Sequence, residues 1–205
     1  MPVKVHVIFY SMYGHIYRMA EAVAEGAREV QGAEVSLFQA AELVPDAALE
    51  RTGAKQARAA FAHVPVADPK RLDEADCIFF GTPTRYGNVC AQVQNLMDQT
   101  GALWVKGSLI GKVASVFVST ATQHGGQETT LFSGITNLMH FGMIIVGLPY
   151  SFQGQMTLDE IVGGSPYGAT TIAGGQGQRQ PSEIEKSAAR FQGRLVAETA
   201  AKLSR

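Results

Sequence analysis

Apolar residues in this chain follow two rhythms: short unbroken runs, and longer stretches in which they recur every three or four positions. Residues 3–10 form a β-branched and aromatic run that predicts a buried strand. From Ile16 the period changes. Ile16, Met19, Ala20, Val23, Ala27 and Val30 share one helical face, while Arg18, Glu21, Glu25, Arg28 and Glu29 take the other, and Gly32 follows as a stop. Further apolar runs at 33–39, 77–83, 112–120 and 143–148 are each short enough for a strand covered on both faces. Helical spacing occupies about 89–100 and 127–141. A last helix opens with Pro181 and the Ser182-x-x-Glu185 capping signal and sets Ile184, Ala188, Phe191 and Leu195 on one face. Five strands alternating with helices predict an α/β fold, a doubly wound five-stranded parallel sheet with helices on both faces.

Two stretches interrupt this economy within what reads as a single domain over 1–205. Residues 40–72, rich in Ala and Arg, predict part helix and part loop. Residues 151–180 are rich in Gly and polar residues and read as an ordered insertion, whose Tyr and Ile side chains pack on something such as a neighbouring subunit.

Charge narrows the function. Lys and Arg number 17 against 18 Asp and Glu, so no basic field exists to hold a nucleic acid. The opening Met1-Pro2-Val3-Lys4-Val5 leads into a segment too short and interrupted for a signal peptide or membrane span, so a soluble cytoplasmic protein is expected. Cys77 and Cys90 form no CxxC motif and two thiols cannot complete a zinc site; both read as reduced packing residues, and no metal is expected.

In an open parallel sheet, ligands bind beyond the carboxyl ends of the strands, near the reversal of strand order. That rule selects the loops 11–16, 82–88 and 119–126. The first offers the Ser11 hydroxyl, backbone N–H groups relieved by Gly14 and a helix N-terminus, without Lys or Arg, which suits a terminal monophosphate. It is neither a P-loop nor a GxGxxG turn. The second, with Thr84, Arg85, Tyr86, Gly87 and Asn88, can grip the edge and face of a flat heteroaromatic ring. The third adds the hydroxyls of Ser119, Thr120 and Thr122 and a glycine-rich backbone. Together they describe a pocket for FMN.

These motifs, Tyr10-Ser-Met-Tyr-Gly-His-Ile16, Gly81-Thr-Pro-Thr-Arg-Tyr-Gly-Asn88, Asp98-Gln-Thr-Gly101 with Trp104, the stretch 119–128, and Gly164-Ser-Pro-Tyr-Gly-Ala-Thr-Thr-Ile-Ala-Gly-Gly175, resemble the WrbA family of NAD(P)H:quinone oxidoreductases, flavodoxin-like FMN enzymes described as tetramers. The resemblance covers nearly the whole chain. It implies that Ser11, Met12, Tyr13, Gly14, His15 and Ile16 hold the FMN phosphate, and that Thr84, Arg85 and Tyr86, with Gly87 and Asn88 beside them, hold the ring. Ser119, Thr120, Ala121, Thr122, Gln123, His124 and Gly125 complete the site. It further implies that His140 faces the flavin from an adjacent subunit as the catalytic residue, that Tyr13 borders NADH or NADPH, and that Trp104 borders the quinone. Tyr86 stands where Phe is also familiar, and Gln123-His124 where some members have only glycines, which leaves the boundary of the third loop's contacts open.

Taken on residue chemistry alone, His140 at the end of an apolar helix is a structural histidine, and Trp104 fits a packed aromatic as well as a substrate contact. Tyr13, between Met12 and Gly14, has no core to enter. His15 and His124 read as loop residues making backbone contacts; His6 and His63 have no evident partners. The expected reaction is ping-pong reduction of a quinone to a hydroquinone by NAD(P)H at one flavin face, in a homotetramer. A flavodoxin-like electron carrier is the alternative, but such carriers are smaller and strongly acidic. A receiver domain is opposed by Tyr10-Ser11 and Thr82-Pro83 at strand ends where its carboxylates would stand.

Overall fold

The computed structural model describes residues 2–204. Strands β1 (Val3–Phe9), β2 (Ala33–Gln39), β3 (Cys77–Pro83), β4 (Val113–Thr120), β5 (Ile144–Ile145) and β6 (Thr170–Ile172) form one sheet in which every pairing is parallel. Its order is β2-β1-β3-β4-β5, with β6 also on β4. Helices α1 (His15–Arg28), α2 (Asp46–Arg51), α3 (Ala54–Arg58), α4 (Ala91–Asp98), α5 (Gly101–Lys106), α6 (Gln127–His140) and α7 (Glu183–Leu203) connect and cover it. The doubly wound reading of the sequence is therefore borne out.

Side chains alternate across a strand, so each strand feeds two cores. Val5, Val7 and Phe9 of β1 join Phe79 and Phe117 beneath α1 and α7. Ile8 and Tyr10 join Ile78, Phe80 and Val116 against Val93 and Leu96 of α4 and Leu131 and Leu138 of α6. Both cysteines are buried and free, and burial pushes the Cys77 thiol up to about 12.

Two expectations need correction. The predicted strand at 143–148 is paired only at Ile144 and Ile145, opposite Val113 and Ala114. Beyond Val146 the chain leaves the sheet: Leu148 N–H donates to the Pro166 oxygen at 3.0 Å instead of to β4, and Gly147 passes so close that a Cβ would lie 2.3 Å from that oxygen. It returns as β6 opposite Val118, Ser119 and Thr120, so residues 170–172, read as insertion, complete the fifth lane. The face of the last helix is also rotated. Of Ile184, Ala188, Phe191 and Leu195 only Ala188 is buried; the covered face is Glu185, Ala189, Gln192, Gly193, Val196 and Ala197. Close approach is the reason: a Cβ on Gly193 would lie 2.1 Å from the Val23 oxygen, and one on Gly26 would lie 1.8 Å from that of Arg190. Backbone-to-backbone packing of α1 on α7 rewards small and polar residues that a hydrophobic count passes over.

Candidate active site

At the carboxyl ends of β1, β3, β4 and β6 four segments enclose a cleft of about 500 Å³. Its walls are Ser11, Met12, Tyr13, His15 and Ile16, then Pro83, Thr84 and Arg85, then Ser119, Thr120 and Ala121, and finally Ala173 to Gly177, with Thr52 at one side. Ten of the sequence-selected residues thus share one opening, at the place where β1 has β2 on one side and β3 on the other.

The floor is the amino end of α1. Gly14 is its N-cap, at a φ of 94° that only glycine adopts without cost, and its N–H donates to Ser11 Oγ at 3.0 Å. Among the described residues no side chain caps this helix, and its first turn carries no acidic residue. The first-turn N–H groups, the Ser11 O–H and the positive end of the helix dipole are left for an anion. His15 is the first residue of the helix rather than a loop residue, and its Nε2 lies 3.0 Å from the Gly177 carbonyl oxygen. Burial holds its pKa below the ordinary histidine value, against opposing hydrogen bonds to the backbone of Gly177 and Arg179, so the neutral ring donates here.

The second wall is braced through Thr84, whose N–H donates to the Ser119 oxygen at 2.8 Å and whose Oγ1 accepts from Gly87 N–H at 3.1 Å. Arg85 and Asn88 exchange backbone hydrogen bonds of 2.9 and 3.0 Å around a two-residue turn at Tyr86-Gly87. Both turn residues have positive φ, and the Tyr86 ring is fully exposed. Tyr86, Gly87 and Asn88 do not line the cleft; they border a neighbouring groove with Phe132 and Ser133. Residues 122–125 form an exposed turn at the rim, tied by Thr120 Oγ1 to the Thr122 oxygen at 2.7 Å.

The fourth wall escaped the sequence reading. Ala173 N–H donates to the Thr120 oxygen at 2.7 Å, and Gly177 N–H to Gly174 at 3.0 Å, folding the glycine cluster over the cleft. Its composition was visible at 174–177, but its position depends on the return of the chain as β6. Thr52 carried no signal at all.

His140 and Trp104 lie elsewhere. Trp104 Nε1 donates to the His140 oxygen at 2.9 Å, and both side chains are exposed. The 14-residue α6 starts beside the cleft and is about 21 Å long, so within one chain His140 stands at its far end. Among the described residues no cluster of three or more His, Cys, Asp or Glu could hold a metal, and no helix is long and apolar enough to cross a membrane.

The donor set fits a phosphate-tailed planar ring: an uncapped helix end without negative charge at the floor, backbone-braced walls above, and an open mouth beside half-exposed Tyr13. Residues 3–156 match the protein family described as NADPH-dependent FMN reductase. A protein of Aromatoleum aromaticum named NAD(P)H dehydrogenase (quinone) is 67% identical over 202 residues, 98% of each chain. One of the same name from Trichlorobacter lovleyi is 61% identical, again over 98% of both. Among solved structures, a WrbA-like flavodoxin of Agrobacterium tumefaciens superposes with a TM-score of 0.66 at 25% identity over 98% of both chains. Oxidised flavodoxin 1 of Bacillus cereus, at a TM-score of 0.57 and 17% identity over 98% of this chain and 97% of its own, shares the fold.

Proposed function

This chain belongs to the NADPH-dependent FMN reductase family, and from that premise we propose that it is an FMN-dependent NAD(P)H dehydrogenase reducing quinones to hydroquinones. The observation that carries the reading is the convergence of four segments on one cleft whose floor is the uncapped end of α1. Bound FMN supplies the two-electron redox chemistry between nicotinamide and quinone.

The chain's own task is to hold and orient. Ser11, Met12 and Gly14, with the first-turn N–H groups of His15 and Ile16, take the phosphate. Thr84, Arg85 and the Ser119–Ala121 backbone hold the ring edge, while Tyr86, Gly87, Asn88 and residues 122–125 form the outer rim. Tyr13 borders the nicotinamide at the mouth. A single opening means that NAD(P)H and quinone occupy it in turn, which is the basis of a ping-pong sequence.

We further propose a cytoplasmic homotetramer built from one domain per chain. Support comes from the exposed apolar surface around the carboxyl end of α6, where Trp104, Val105, Ile110 and Met139 stand in solvent in one chain. Burial of that face between copies is how His140 of a partner subunit and its Trp104 reach the cleft, His140 to donate a proton or hydrogen bond to the acceptor oxygen and Trp104 to border the quinone.

The test is an absorption spectrum of the purified chain with FMN, then NADH or NADPH and benzoquinone in the same cuvette. Bleaching by the nucleotide and recovery with quinone are expected, with parallel double-reciprocal lines. No association with FMN at micromolar concentration sinks the reading; binding without NAD(P)H oxidation points instead to a carrier module. His140→Ala is expected to lower turnover while FMN binding persists.

A further inference from the structure

The sequence places no cation in the phosphate loop, yet the structure sets one behind it. Arg58, at the end of α3, donates from Nη1 to the Ser11 carbonyl oxygen at 2.7 Å and from Nη2 to Gln39 Oε1 at 3.1 Å. The same guanidinium is 3.0 Å from Glu42 and lies over the rings of Tyr10 and Phe61, at 5.5 and 5.3 Å from their centroids. Its side chain is only 16% exposed. Glu42 is fixed in turn by Tyr10 O–H at 3.0 Å, Gln92 Nε2 at 3.1 Å and the N–H groups of Leu43 and Val44 at 2.9 Å each. Burial pushes the Glu42 pKa up, but these hydrogen bonds and Arg58 together bring it below the ordinary value. The planar fork therefore has one geometry open to it.

Resting on the FMN reading above, we infer that Arg58 is a positioning residue for the phosphate loop. Ser11 and Met12 line the cleft and Arg58 does not. Its contact therefore holds the Ser11 carbonyl on the outer side of the loop. In a trans peptide the carbonyl and the following N–H point in opposite directions, so a carbonyl pinned outward turns the Met12 N–H toward the anion site. The charge itself is matched by Glu42, so Arg58 acts by orientation more than by attraction. In this way residues 40–72, which fill no lane of the sheet, set the donor geometry of the loop after β1.

The ligand feature that this device serves is the phosphate, so the discriminating probe is riboflavin, which lacks it. Titrations of the full-length chain with FMN and with riboflavin give a ratio of dissociation constants. In Arg58→Met, the FMN constant is expected to rise about 10- to 100-fold, the loss of one charge-assisted hydrogen bond, while that for riboflavin changes less than about 3-fold. Arg58→Lys, which keeps the charge without the fork, falls between. Because Arg58→Met leaves a part-buried carboxylate unpaired, Arg58→Met with Glu42→Gln is the companion that removes both charges and is expected to show the same lost ratio. An unchanged ratio in the folded variants, or equal loss for both ligands, overturns the role of Arg58. Wild type that binds no FMN overturns the enzymatic reading instead.

Discussion

The first four lanes of the sheet and the fifth are held together by different chemistry. β1, β3 and β4 are continuous and mostly buried, β3 and β4 at every position but Pro83, and their backbones satisfy one another. The fifth lane is broken between β5 and β6, and among the described residues no strand pairs on that side opposite Ser115, Val116 and Phe117. Side chains fill the gap. Fully buried Gln192 of α7 accepts from Ala169 N–H at 2.7 Å and donates to the Val116 oxygen at 3.0 Å, as a missing peptide group would, and Ser115 Oγ donates to the Val146 oxygen. Gln127 accepts from Thr170 Oγ1 at the start of β6. A buried lane can thus be interrupted at a site's edge, provided that helices lend it polar groups.

The largest effect follows from removing the group on which that stitching converges. Glu185, wholly buried, accepts from Gly163, Ile172 and Ser182 N–H, from Thr171 Oγ1 at 2.8 Å and from Arg179, and it completes the capping box of α7. Glu185→Ala leaves Arg179 and these donors without their acceptor, which costs about 3–5 kcal/mol. Urea unfolding measures it. A loss below about 1 kcal/mol would mean that the fifth lane does not depend on this carboxylate.

Gln192→Leu comes next, at about 1–3 kcal/mol, since the Ala169 N–H and Val116 oxygen lose their partner inside the core. The sharper readout is local. Amide exchange at Ala169 and Thr170 is expected to accelerate while Val7 and Phe79, in the continuous lanes, keep their protection. Equal acceleration in both regions would erase the distinction between them.

The same contrast separates what could be read from the sequence. Continuous lanes announce themselves as apolar runs, and the loops that follow them inherit a place in the site by rule. Hence ten residues at or just beyond the carboxyl ends of β1, β3 and β4 were found on the cleft wall. The wall at 173–177 and the covered face of α7 depend on Glu185, Gln192 and Gly193, polar and small residues whose burial is decided by what stands opposite. Arg58 was hidden for a related reason: its partners Ser11, Gln39 and Glu42 lie on other elements, and a cation behind a loop leaves no motif within it.

Acid sharpens the comparison more gently. Burial lowers the pKa of His15, with Arg18 helping and Glu185 and backbone hydrogen bonds opposing, and burial likewise lowers that of His6. Below about pH 6.5 the unfolded chain takes up protons that the folded histidines resist. Stability is therefore full above that pH and falls as pH drops toward the folded pKa values. His15→Gln is expected to flatten part of this slope in urea midpoints measured from pH 8 to pH 5.5. An unchanged slope would mean that burial of the His15 ring does not keep it neutral.

The smallest effect has the opposite sign. Tyr86 is the one non-glycine residue with positive φ among those described, at 53°, and its ring makes no use of the chain that strains it. A left-handed conformation costs a bulky residue about 1 kcal/mol, whereas Asn adopts it more readily and suits a two-residue turn before Gly87. Tyr86→Asn should therefore raise the stability of the isolated chain by about 0.5–1 kcal/mol, or about 1–4 °C in Tm for a domain of this size. If the rim works as proposed, the same variant weakens the hold on the flavin ring, so stability and affinity move apart. A variant that melts lower than wild type would show that the ring is packed in solution and that the turn stores no strain for the site.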